Sequence, residues 1–380
     1  METIKIGIDA RMFSDQFTGI GRYNFELTKR LFEKEQIVVK GEERAVEWVI
    51  FLNDPQYSDF EFPDNVKKVC VNAKHYSLAE QIKFLRLLWK EKCDLVHFTH
   101  FNLPLLYRKP FVVTIHDTTI SFYPGKKMNT WYRKLGYQLV IRNAVSASKR
   151  IITVSKNTKA DVLRLFKVKS EKVQPIWIAP SSEFGVVDDS EKTRVREKFN
   201  IGKNVLLYTG NWREHKNLVR LIEAFALCRQ KHEDLELIIT GKPDPYYPEV
   251  PGTIKEFGLT DSVHLVGLVD FADLKALFGT ATIYVFPTLY EGFGLPPLEA
   301  MQCETPVIAS RIASVPEVCD EAVNYFDPEN VADMAEKIDY LLRHPEAQEG
   351  LVRLGKAQVK KFSWDRCAAQ TLAIYQSVGQ

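Results

Sequence analysis

The 380-residue sequence contains no hydrophobic run of about 18 residues, the length that a membrane-spanning helix requires. Its start, METIKIGIDARMF, lacks the basic segment and following apolar stretch of a signal peptide. The six cysteines are widely scattered and form no Cys-x-x-Cys pair, so neither a zinc cage nor a redox pair is predicted. We therefore expect a protein of the reducing cytosol.

The motifs of several enzyme classes are missing as well. No Gly-x-Ser-x-Gly or His-Glu-x-x-His occurs, which argues against a serine hydrolase or a zincin. No Asp-x-Asp occurs either, so a metal-diphosphate site has no candidate and we expect no metal. Magnesium held by one carboxylate and phosphates stays open as an alternative.

The charge is divided unevenly along the chain. Residues 1–175 hold 30 Lys and Arg against 19 Asp and Glu, whereas residues 176–380 hold 21 against 30. A basic half can face an anionic partner such as a lipid surface, a nucleic acid or a phosphorylated acceptor.

Short apolar runs alternate with helical patterns along the whole chain, which predicts parallel sheets covered on both faces. The pattern restarts after a polar stretch, Ala179–Glu191, that is typical of a linker. We therefore predict an α/β protein with two Rossmann-like domains, residues 1–180 and 181–361. Ligands of open α/β sheets bind beyond the carboxyl ends of the strands, so the cleft between the domains is the expected site.

The most informative segment is YEGFGLPPLEAM, residues 290–301, which follows the predicted strand Ile283–Phe286. Pro296 and Pro297 suit the start of a helix, where a missing N–H has no cost. Glu291 is then expected in the loop that leaves the strand, and Glu299 in the first helical turn.

This loop has the features of an anion site. Gly292 and Gly294 let the backbone approach a ligand closely, and the free N–H groups at the helix start suit phosphates. An ionised Glu299 would accept hydrogen bonds from paired sugar hydroxyls. The alternative is an ordinary capped helix start with a solvated Glu299.

The spacing from Glu291 to Glu299 resembles the E-x7-E signature of retaining glycosyltransferases of family 4, which adopt the GT-B fold. PVIASRIASVPEV (306–318) and AVNYFDP (322–328) also resemble that family's C-terminal domain. The resemblance implies that Glu291 lies near the donor sugar and that Glu299 holds the nucleoside ribose. It also implies a donor site along Gly292, Phe293, Gly294 and Leu295, the last two giving backbone N–H groups to the diphosphate.

A basic turn, YTGNWREHKN (208–217), follows another predicted strand. A lysine there can neutralise a leaving diphosphate, and an arginine can bind it with two N–H groups. The turn resembles the family's donor-phosphate turn: Gly210 and Lys216 match it, whereas His215 stands where an arginine is common. Arg213 is a second candidate, and a solvated basic turn is the alternative reading.

The first half carries weaker candidates. Thr18–Tyr23 opens a predicted helix and resembles the family's glycine loop, so Gly19 and Gly21 are expected near the donor phosphate and acceptor. A simple tight turn is the alternative. His116 ends the strand Phe111–Ile115 and resembles the family's histidine at the donor sugar, although a structural hydrogen bond is the default role of a single histidine. Ser155 is expected to cap a helix.

The resemblance implies a hexosyltransferase with Glu291, His116 and Lys216 as catalytic residues, and with no cofactor beyond its nucleotide sugar. TIHDTTISFY (114–123) and Thr18–Tyr23 look most like mannosyltransferases that use GDP-mannose. UDP-glucose and UDP-N-acetylglucosamine stay open as donors, and the acceptor is a saccharide or a lipid-linked saccharide. The last helix, about residues 362–378, is expected to return to the N-terminal domain.

Two other functions stay open. One is a nucleotide-sugar epimerase or phosphorylase on the same fold. The other is a nucleic-acid-binding protein, which the basic half suggests but no stacked aromatic motif supports, so we expect no nucleic acid.

Two basic stretches, Ser77–Lys92 and Lys126–Arg150, could meet a membrane. The first carries Ile82, Leu85, Leu88 and Trp89 at helical spacing with lysines and arginines between them. A basic amphipathic helix can lie on an anionic bilayer, so peripheral contact with the cytoplasmic face is predicted. The alternative is a helix that covers its own sheet and exposes a solvated basic face.

Overall fold

A computed structural model describes residues 2–14, 19–39, 41–128 and 130–378 of the chain. The chain divides into two compact units, neither of which is one continuous segment. The first unit comprises Met1–Thr118, Asn129–Ile178 and Ser363–Gln380. The second comprises Thr119–Met128 and Ala179–Phe362.

The first unit is built on a sheet that has eight strands within the described residues. The strands are β1 (Thr3–Asp9), β2 (Gln36–Val39), β3 (Glu42–Leu52), β4 (Val66–Cys70), β5 (Leu95–Phe98), β6 (Phe111–Ile115), β7 (Arg150–Thr153) and β8 (Val173–Pro175). Their order is β2-β3-β1-β5-β6-β7-β8, and β4 also pairs with β3. Every residue of β5 and β6 is buried, as expected of central strands in a parallel sheet.

The second unit has a six-stranded parallel sheet in the part of the chain that the structure describes. The strands are β9 (Asn204–Tyr208), β10 (Leu235–Thr240), β11 (Val263–Gly267), β12 (Ile283–Phe286), β13 (Val307–Ser310) and β14 (Asn324–Phe326). Their order, β11-β10-β9-β12-β13-β14, places β9 and β12 side by side at the centre. The loops that leave these two strands therefore meet at the same edge of the sheet.

Helices connect the strands and cover the sheets. Those that begin before residue 160 are α1 (Gly19–Leu31), α2 (Gln56–Asp59), a π-helical turn (Glu80–Phe84) that continues into α3 (Leu85–Glu91), α4 (Thr119–Phe122), α5 (Trp131–Ala147) and α6 (Lys156–Phe166). Those that follow are α7 (Asp189–Phe199), α8 (Leu218–Arg229), α9 (Glu249–Glu256), α10 (Phe271–Thr280), α11 (Leu295–Gln302), α12 (Val315–Cys319), α13 (Val331–Arg343), α14 (Pro345–Val359) and α15 (Trp364–Val378). Short 3-10 turns lie at Lys126–Met128, Ser170–Lys172 and Glu214–Lys216. No helix in the described ranges is long and apolar enough to cross a membrane.

The strands that follow clear apolar runs were predicted closely, and two local features were not. Ser155 caps α6 as predicted, because its side chain accepts a hydrogen bond from the Thr158 N–H at 2.9 Å. The strand β2 was missed, and it pairs antiparallel with β3 in an otherwise parallel sheet. The predicted linker is also shorter than expected, because α7 begins at Asp189 and Asp188 caps it.

A buried ion cluster joins β1 to the π-helical turn in the first unit. The Arg11 guanidinium donates two hydrogen bonds of 2.8 Å to the Asp9 carboxylate and one of 2.8 Å to Glu80 Oε1. Glu80 also accepts from the Asn102 side chain at 2.6 and 2.7 Å and from the Tyr76 N–H at 3.0 Å. The cluster therefore ties three loops together at the carboxyl edge of the sheet.

We predict that Glu80→Ala lowers the free energy of unfolding of the first unit by about 3–5 kcal/mol, since it leaves the Arg11 charge buried without one of its partners. Urea unfolding followed by tryptophan fluorescence measures this loss. Glu171→Ala is the matched control, because its 4.0 Å pair with Lys169 is exposed (73% and 86% of the two side chains). The control should change the unfolding free energy by no more than about 0.5 kcal/mol, and an equal loss in both variants would contradict the prediction.

Five of the eight histidines have lowered pKa values, in each case mainly because of burial. Burial lowers the pKa of His97 to about 3 and that of His75 to about 4. These imidazoles are neutral in the folded protein but take up a proton below about pH 6.5 when the chain unfolds. The buried histidines therefore contribute fully to the free energy of unfolding above that pH, and this contribution is lost progressively as the pH falls toward 4.

We therefore predict that the urea concentration at the midpoint of unfolding is lower at pH 5 than at pH 7. In this pH range, carboxylates with ordinary pKa values near about 4 contribute little. The fall reflects protons that the unfolded chain binds and the folded chain does not. His97→Asn should make it shallower because one such group is removed. A midpoint that is equal at the two pH values would contradict the assignment of neutral, buried histidines.

Candidate functional site

The loop that follows β12 is held in place by hydroxyl groups. The Ser314 hydroxyl donates to the backbone carbonyls of Glu291 and Phe293, at 3.0 and 2.9 Å. The Ser310 hydroxyl donates to the carbonyl of Thr288 at 2.6 Å. Because these bonds hold the carbonyls on one side of the loop, they restrain the backbone between β12 and α11.

The basic turn after β9 is attached to that loop. The Leu289 N–H donates to the His215 carbonyl at 2.7 Å. Asn217, in the left-handed region at φ 62°, donates from its side-chain amide to the carbonyls of Pro287 (2.9 Å) and Pro328 (2.8 Å). This role of Asn217 was not predicted. An asparagine before a helix usually indicates a cap, but Asn217 forms no side-chain cap.

Lys216 and Glu291 meet as a consequence. The Lys216 ammonium forms an ion pair with Glu291 Oε1, and the Thr288 hydroxyl lies 3.3 Å from the same oxygen. About a fifth of each charged side chain is exposed, 20% for Lys216 and 17% for Glu291. The pair is therefore partly desolvated yet open to an incoming ligand. The structure brings these two predicted residues into direct contact.

The other members of the turn differ in exposure. Arg213 is exposed and forms no ion pair with the described residues. His215 is buried, and burial, followed by the neighbouring charges of Lys216 and Arg213, lowers the pKa of its imidazole to about 3. Near neutral pH the positive charge of the turn therefore comes from Lys216 and Arg213, and His215 does not substitute for a family arginine as a cation.

Glycine is required where Gly210 meets the end of β10. A Cβ atom on Gly241, whose φ is +104°, would lie 2.0 Å from the Gly210 carbonyl oxygen. Gly294 has a φ of +97° and is the N-cap of α11. A side chain at either position would strain the backbone, and at Gly241 it would also collide with the Gly210 carbonyl. Gly241 was not identified from the sequence, because it belongs to no recognised motif.

The helix α11 begins at Leu295, so Pro296 and Pro297 lie in its first turn as predicted. The expectation for Glu299 was wrong by one residue, because it lies just past the first turn. It is the fifth residue of the helix, and the first turn contains no acidic residue. Glu299 is half-buried and lies near Tyr284. Burial raises the pKa of Tyr284, and the charge of Glu299 raises it further.

An aromatic cluster from a distant part of the sequence also belongs to this unit. The rings of Phe122 and Tyr290 are 5.1 Å apart, and Tyr123 lies 6.2 Å from the His215 ring and 6.4 Å from Tyr290. The segment Thr119–Met128 thus packs against both loops that carry the ion pair. Sequence analysis placed this segment in the N-terminal domain.

The first unit contains Gly19, Gly21 and His116. Gly19 is the first residue of α1, and a Cβ atom there would meet nothing within 4 Å, so the structure imposes no need for glycine at this position. Gly21 is buried, and its carbonyl accepts from the Ser14 N–H at 3.4 Å. Thr18, the first residue of the predicted glycine loop, lies outside the described residues.

His116 follows β6 directly, as predicted, and is oriented by its surroundings. Its Nε2 lies 2.8 Å from the Thr99 carbonyl oxygen. Because a carbonyl can only accept, Nε2 carries the proton and Nδ1 is left as an acceptor. Burial lowers the pKa of this imidazole, and the Tyr23 ring packs edge-on against it at 4.8 Å. A neutral imidazole of this kind can accept a hydrogen bond from a hydroxyl.

His97 of β5 and His100, two residues after that strand, have structural partners. His97 is wholly buried and contacts Thr114 and Tyr375 through its two ring nitrogens. His100 Nδ1 accepts from the Asn102 N–H at 3.2 Å. Within the described ranges no three His, Cys, Asp or Glu side chains are grouped so as to hold a metal ion.

The second unit therefore presents a lysine, an exposed arginine and a helix start at one sheet edge, with a carboxylate beside them. The N–H groups of the first turn of a helix have no partner within that helix, so α11 favours an anion. A planar arginine and a lysine are suited to phosphate oxygens. This arrangement can bind a diphosphate and leave Glu291 next to whatever the diphosphate carries.

Two family models match the chain and together cover most of it. The model described as Glycosyltransferase Family 4 matches residues 18–177. The model described as Glycosyl transferases group 1 matches residues 189–358. The second match contains both loops of the ion pair and α11, and the first contains His116 and the start of α1.

Individual proteins agree with these matches. The chain is 29% identical to O-antigen chain mannosyltransferase B of Escherichia coli over 371 residues, which is 94% of this chain and 96% of that one. Its structure resembles sucrose-phosphate synthase of Thermosynechococcus elongatus (TM-score 0.79, 20% identity, 98% of both chains). It also resembles Anabaena HepE in complex with UDP-glucose (TM-score 0.75, 16% identity, 98% and 99% of the chains). The chain thus belongs to the glycosyltransferases of family 4, and its α/β architecture is the GT-B fold.

Proposed function

We propose that the protein transfers mannose from GDP-mannose to a saccharide or a lipid-linked saccharide, with retention of the anomeric configuration. The observation that carries this proposal is the contact between Lys216 and Glu291 at the carboxyl edge of the second sheet. It supplies a cation for a leaving diphosphate and a carboxylate beside it. Family membership supplies the reaction class.

The donor diphosphate binds at the start of α11 and at the basic turn in this proposal. Gly294 and Leu295 give backbone N–H groups, while Lys216 and Arg213 give positive charge. The carboxylate of Glu299 accepts from the ribose hydroxyls, and its position one turn into α11 sets it back from the phosphates. Gly292 and Phe293 complete the loop around the sugar.

Lys216 changes partners when the donor binds. Without a ligand its ammonium is neutralised by Glu291. A diphosphate competes for that ammonium, and the negative charge on its oxygens grows as the glycosidic bond breaks. Lys216 therefore stabilises the transition state more than the bound donor, which is what raises the rate. Glu291, released from the pair, is then available to the hydroxyls of the donor sugar.

His116 of the first unit contributes an acceptor. Its proton is held on Nε2 by the Thr99 carbonyl, so Nδ1 accepts a hydrogen bond from a sugar hydroxyl near the reacting carbon. In this proposal no carboxylate of the described residues acts as a covalent nucleophile. We therefore propose transfer on one face of the sugar, with the acceptor oxygen guided by the leaving phosphate.

The choice of GDP-mannose rests on sequence likeness. The Escherichia coli relative is named a mannosyltransferase, and it aligns over nearly the whole chain. UDP-glucose is the competing donor, because the structurally similar HepE was crystallised with it. The nucleobase pocket therefore decides between a guanine and a uracil nucleotide, and a donor panel tests that choice.

We predict that GDP release from GDP-mannose, in the presence of a mannose-terminated oligosaccharide, falls about 100- to 1000-fold in Lys216→Ala and Glu291→Ala. The product should keep the α configuration of the donor, as read from the anomeric NMR signals. Lys361→Ala is the matched control, because it breaks the 3.0 Å pair with Asp320 elsewhere in the same unit. Its turnover should stay within about twofold of wild type.

Several results would contradict this assignment. Faster turnover with UDP-glucose or UDP-N-acetylglucosamine would overturn the donor, and an inverted product would overturn retention. Conversion of the sugar nucleotide without an acceptor would favour an epimerase. A trapped glycosyl-enzyme adduct would refute the one-face mechanism.

We also propose that the first unit contacts an anionic membrane peripherally. Large apolar side chains are exposed on three neighbouring segments: Leu78 (80%), Leu106 (65%) and Trp131 (76%). The Leu105 N–H donates to the Gln81 side chain at 2.8 Å, and Arg108 donates to Asn143 of α5 at 3.4 Å. These bonds attach the three segments to one another, and we infer that their exposed side chains form one surface.

This surface, here called the basic apolar face, combines apolar and cationic side chains. Its exposed apolar members are Leu78, Ile82, Trp89, Leu106, Trp131, Tyr132, Leu135 and Leu139. Its exposed basic members are Lys83, Arg86, Lys90, Arg133, Lys134 and Arg142. Leu78, Ile82, Lys83 and Arg86 also line a surface cavity of about 390 Å³. In such a face two contributions act together. Apolar side chains enter the headgroup region, and cations contact anionic lipids.

We predict that the protein sediments with vesicles that contain anionic phosphatidylglycerol and not with purely zwitterionic vesicles. Lys83→Glu/Arg86→Glu should weaken binding at least about tenfold, since each basic residue near the surface contributes about 1 kcal/mol. Lys255→Glu/Lys360→Glu, which makes the same charge change in the second unit, should bind as wild type does. Equal weakening in both double variants would mean that net charge, and not this face, drives binding.

A further inference from the structure

Four buried polar side chains in the first unit form one hydrogen-bonded chain. Tyr375 Oη of α15 lies 2.6 Å from His97 Nδ1 of β5, and His97 Nε2 lies 2.8 Å from Thr114 Oγ1 of β6. Thr114 Oγ1 in turn lies 3.1 Å from Tyr23 Oη of α1. None of the four residues is more than 1% exposed. The chain thus links the last helix of the sequence to the first.

The chemistry of the chain requires a neutral histidine. A neutral imidazole donates from one nitrogen and accepts at the other, whereas a hydroxyl can do both. Thr114 can therefore accept from one neighbour and donate to the other, so all three bonds form together. The burial that lowers the pKa of His97 to about 3 keeps it in this form. Such fully connected buried networks fix the relative positions of the elements that they join.

Tyr23, at one end of this hydrogen-bonded chain, lies against His116. The Tyr23 ring packs edge-on against the His116 ring, with 4.8 Å between centroids and 86° between planes. Thr114, near the end of β6, precedes His116 by two residues, and His116 directly follows that strand. On its other side, the His116 ring is fixed by the Thr99 carbonyl, and the Thr99 hydroxyl donates to the Asp9 carbonyl at 2.6 Å. The imidazole is therefore held between Thr99 and Tyr23.

The last helix reaches Tyr23 at a second point. Trp364, the first residue of α15, lies 6.1 Å from the Tyr23 ring at 60°. Tyr23 is thus contacted by Trp364 through its ring and linked to Tyr375 through its hydroxyl. Two residues of α15 thus reach Tyr23, which packs against His116: Trp364 directly, and Tyr375 through His97 and Thr114. Tyr23 also belongs to the helix that begins with Gly19.

We propose that Tyr375, His97 and Tyr23 are positioning residues that set the orientation of His116 for glycosyl transfer. The inference rests on the proposed function only for the role of His116 at the donor sugar. None of the three contacts substrate in this proposal, and they act through the ring that they orient. Loss of a hydroxyl at either end should loosen the imidazole without altering the donor-phosphate site of the second unit.

The test compares Tyr375→Phe and Tyr23→Phe with Tyr107→Phe. The buried Tyr107 hydroxyl has no hydrogen-bond partner in the part of the chain that the structure describes, so its removal controls for the loss of a buried oxygen. We expect Tyr375→Phe and Tyr23→Phe to lower kcat about three- to tenfold, the effect of one net hydrogen bond. The Kd for GDP should stay unchanged in both, and Tyr107→Phe should match wild type in each measurement.

A second arm separates positioning from stability. In a His116→Ala background, Tyr375→Phe should cause no further loss of kcat, because the group that it orients is absent. A lower melting temperature with unchanged kcat, or an equal loss of kcat with and without His116, would overturn the proposal.

A third arm remains valid if the protein transfers no mannose. The ¹⁵N and ¹H NMR signals of the His116 imidazole should shift in Tyr375→Phe and not in Tyr107→Phe. Unchanged His116 signals would refute the positioning role even when no acceptor is found. Failure of the donor assay with shifted signals would instead count against the proposed function alone.

Discussion

The contact between the Lys216 ammonium and the Glu291 carboxylate is the interaction on which the candidate donor site depends. It joins two loops that are 75 residues apart in the sequence and that leave the adjacent central strands β9 and β12. The pair costs desolvation energy, and at its partial exposure it contributes little to stability. In the proposed function, each partner neutralises the other until a charged ligand replaces one of them.

Small polar side chains hold the two loops of that ion pair in place. Ser310 and Ser314 bond to carbonyls of the loop after β12, while Asn217 connects the basic turn to Pro287 and Pro328. Buried polar groups of this kind are expensive to leave unpaired, so each position has few acceptable replacements. The first unit uses the same device on a larger scale, in the Arg11 cluster and in the chain from Tyr375 to Tyr23.

Sequence reasoning located the strands and the loops that follow them, because apolar runs and glycine or proline punctuation are local signals. The positions of Glu291, Lys216 and His116 at strand ends follow from those signals alone. The contact between Lys216 and Glu291 does not, since it depends on the strand order β9-β12, which no local pattern encodes. The role of Gly241 was missed for the same reason, as its constraint comes from the carbonyl of Gly210 on a neighbouring strand's loop.

Three errors have simpler causes. The strand β2 (QIVV) has only three apolar residues in a row and follows a charged turn, whereas the predicted four-residue strand β12 (IYVF) is apolar throughout. The start of α7 carried a usable signal, Asp188 followed by Glu191, and the Asp188 carboxylate does accept from the Glu191 N–H at 2.9 Å. The linker was drawn too long because its acidic residues suggested a loop. Glu299 falls one residue outside the first turn because the helix begins at Leu295, whereas the prolines were taken as its first residues.

The return of α15 to the first unit has a consequence for how this protein is made. The sheet of that unit is complete at Pro175, but Tyr375 is synthesised some 200 residues later, after the whole second unit. Until α15 is synthesised, His97 lies in an incomplete core, and one of its ring nitrogens lacks its hydrogen-bond partner. A nascent chain that stalls or is cut before its final helix would therefore expose a polar gap in the interior, and such a product is a natural substrate for cellular quality control.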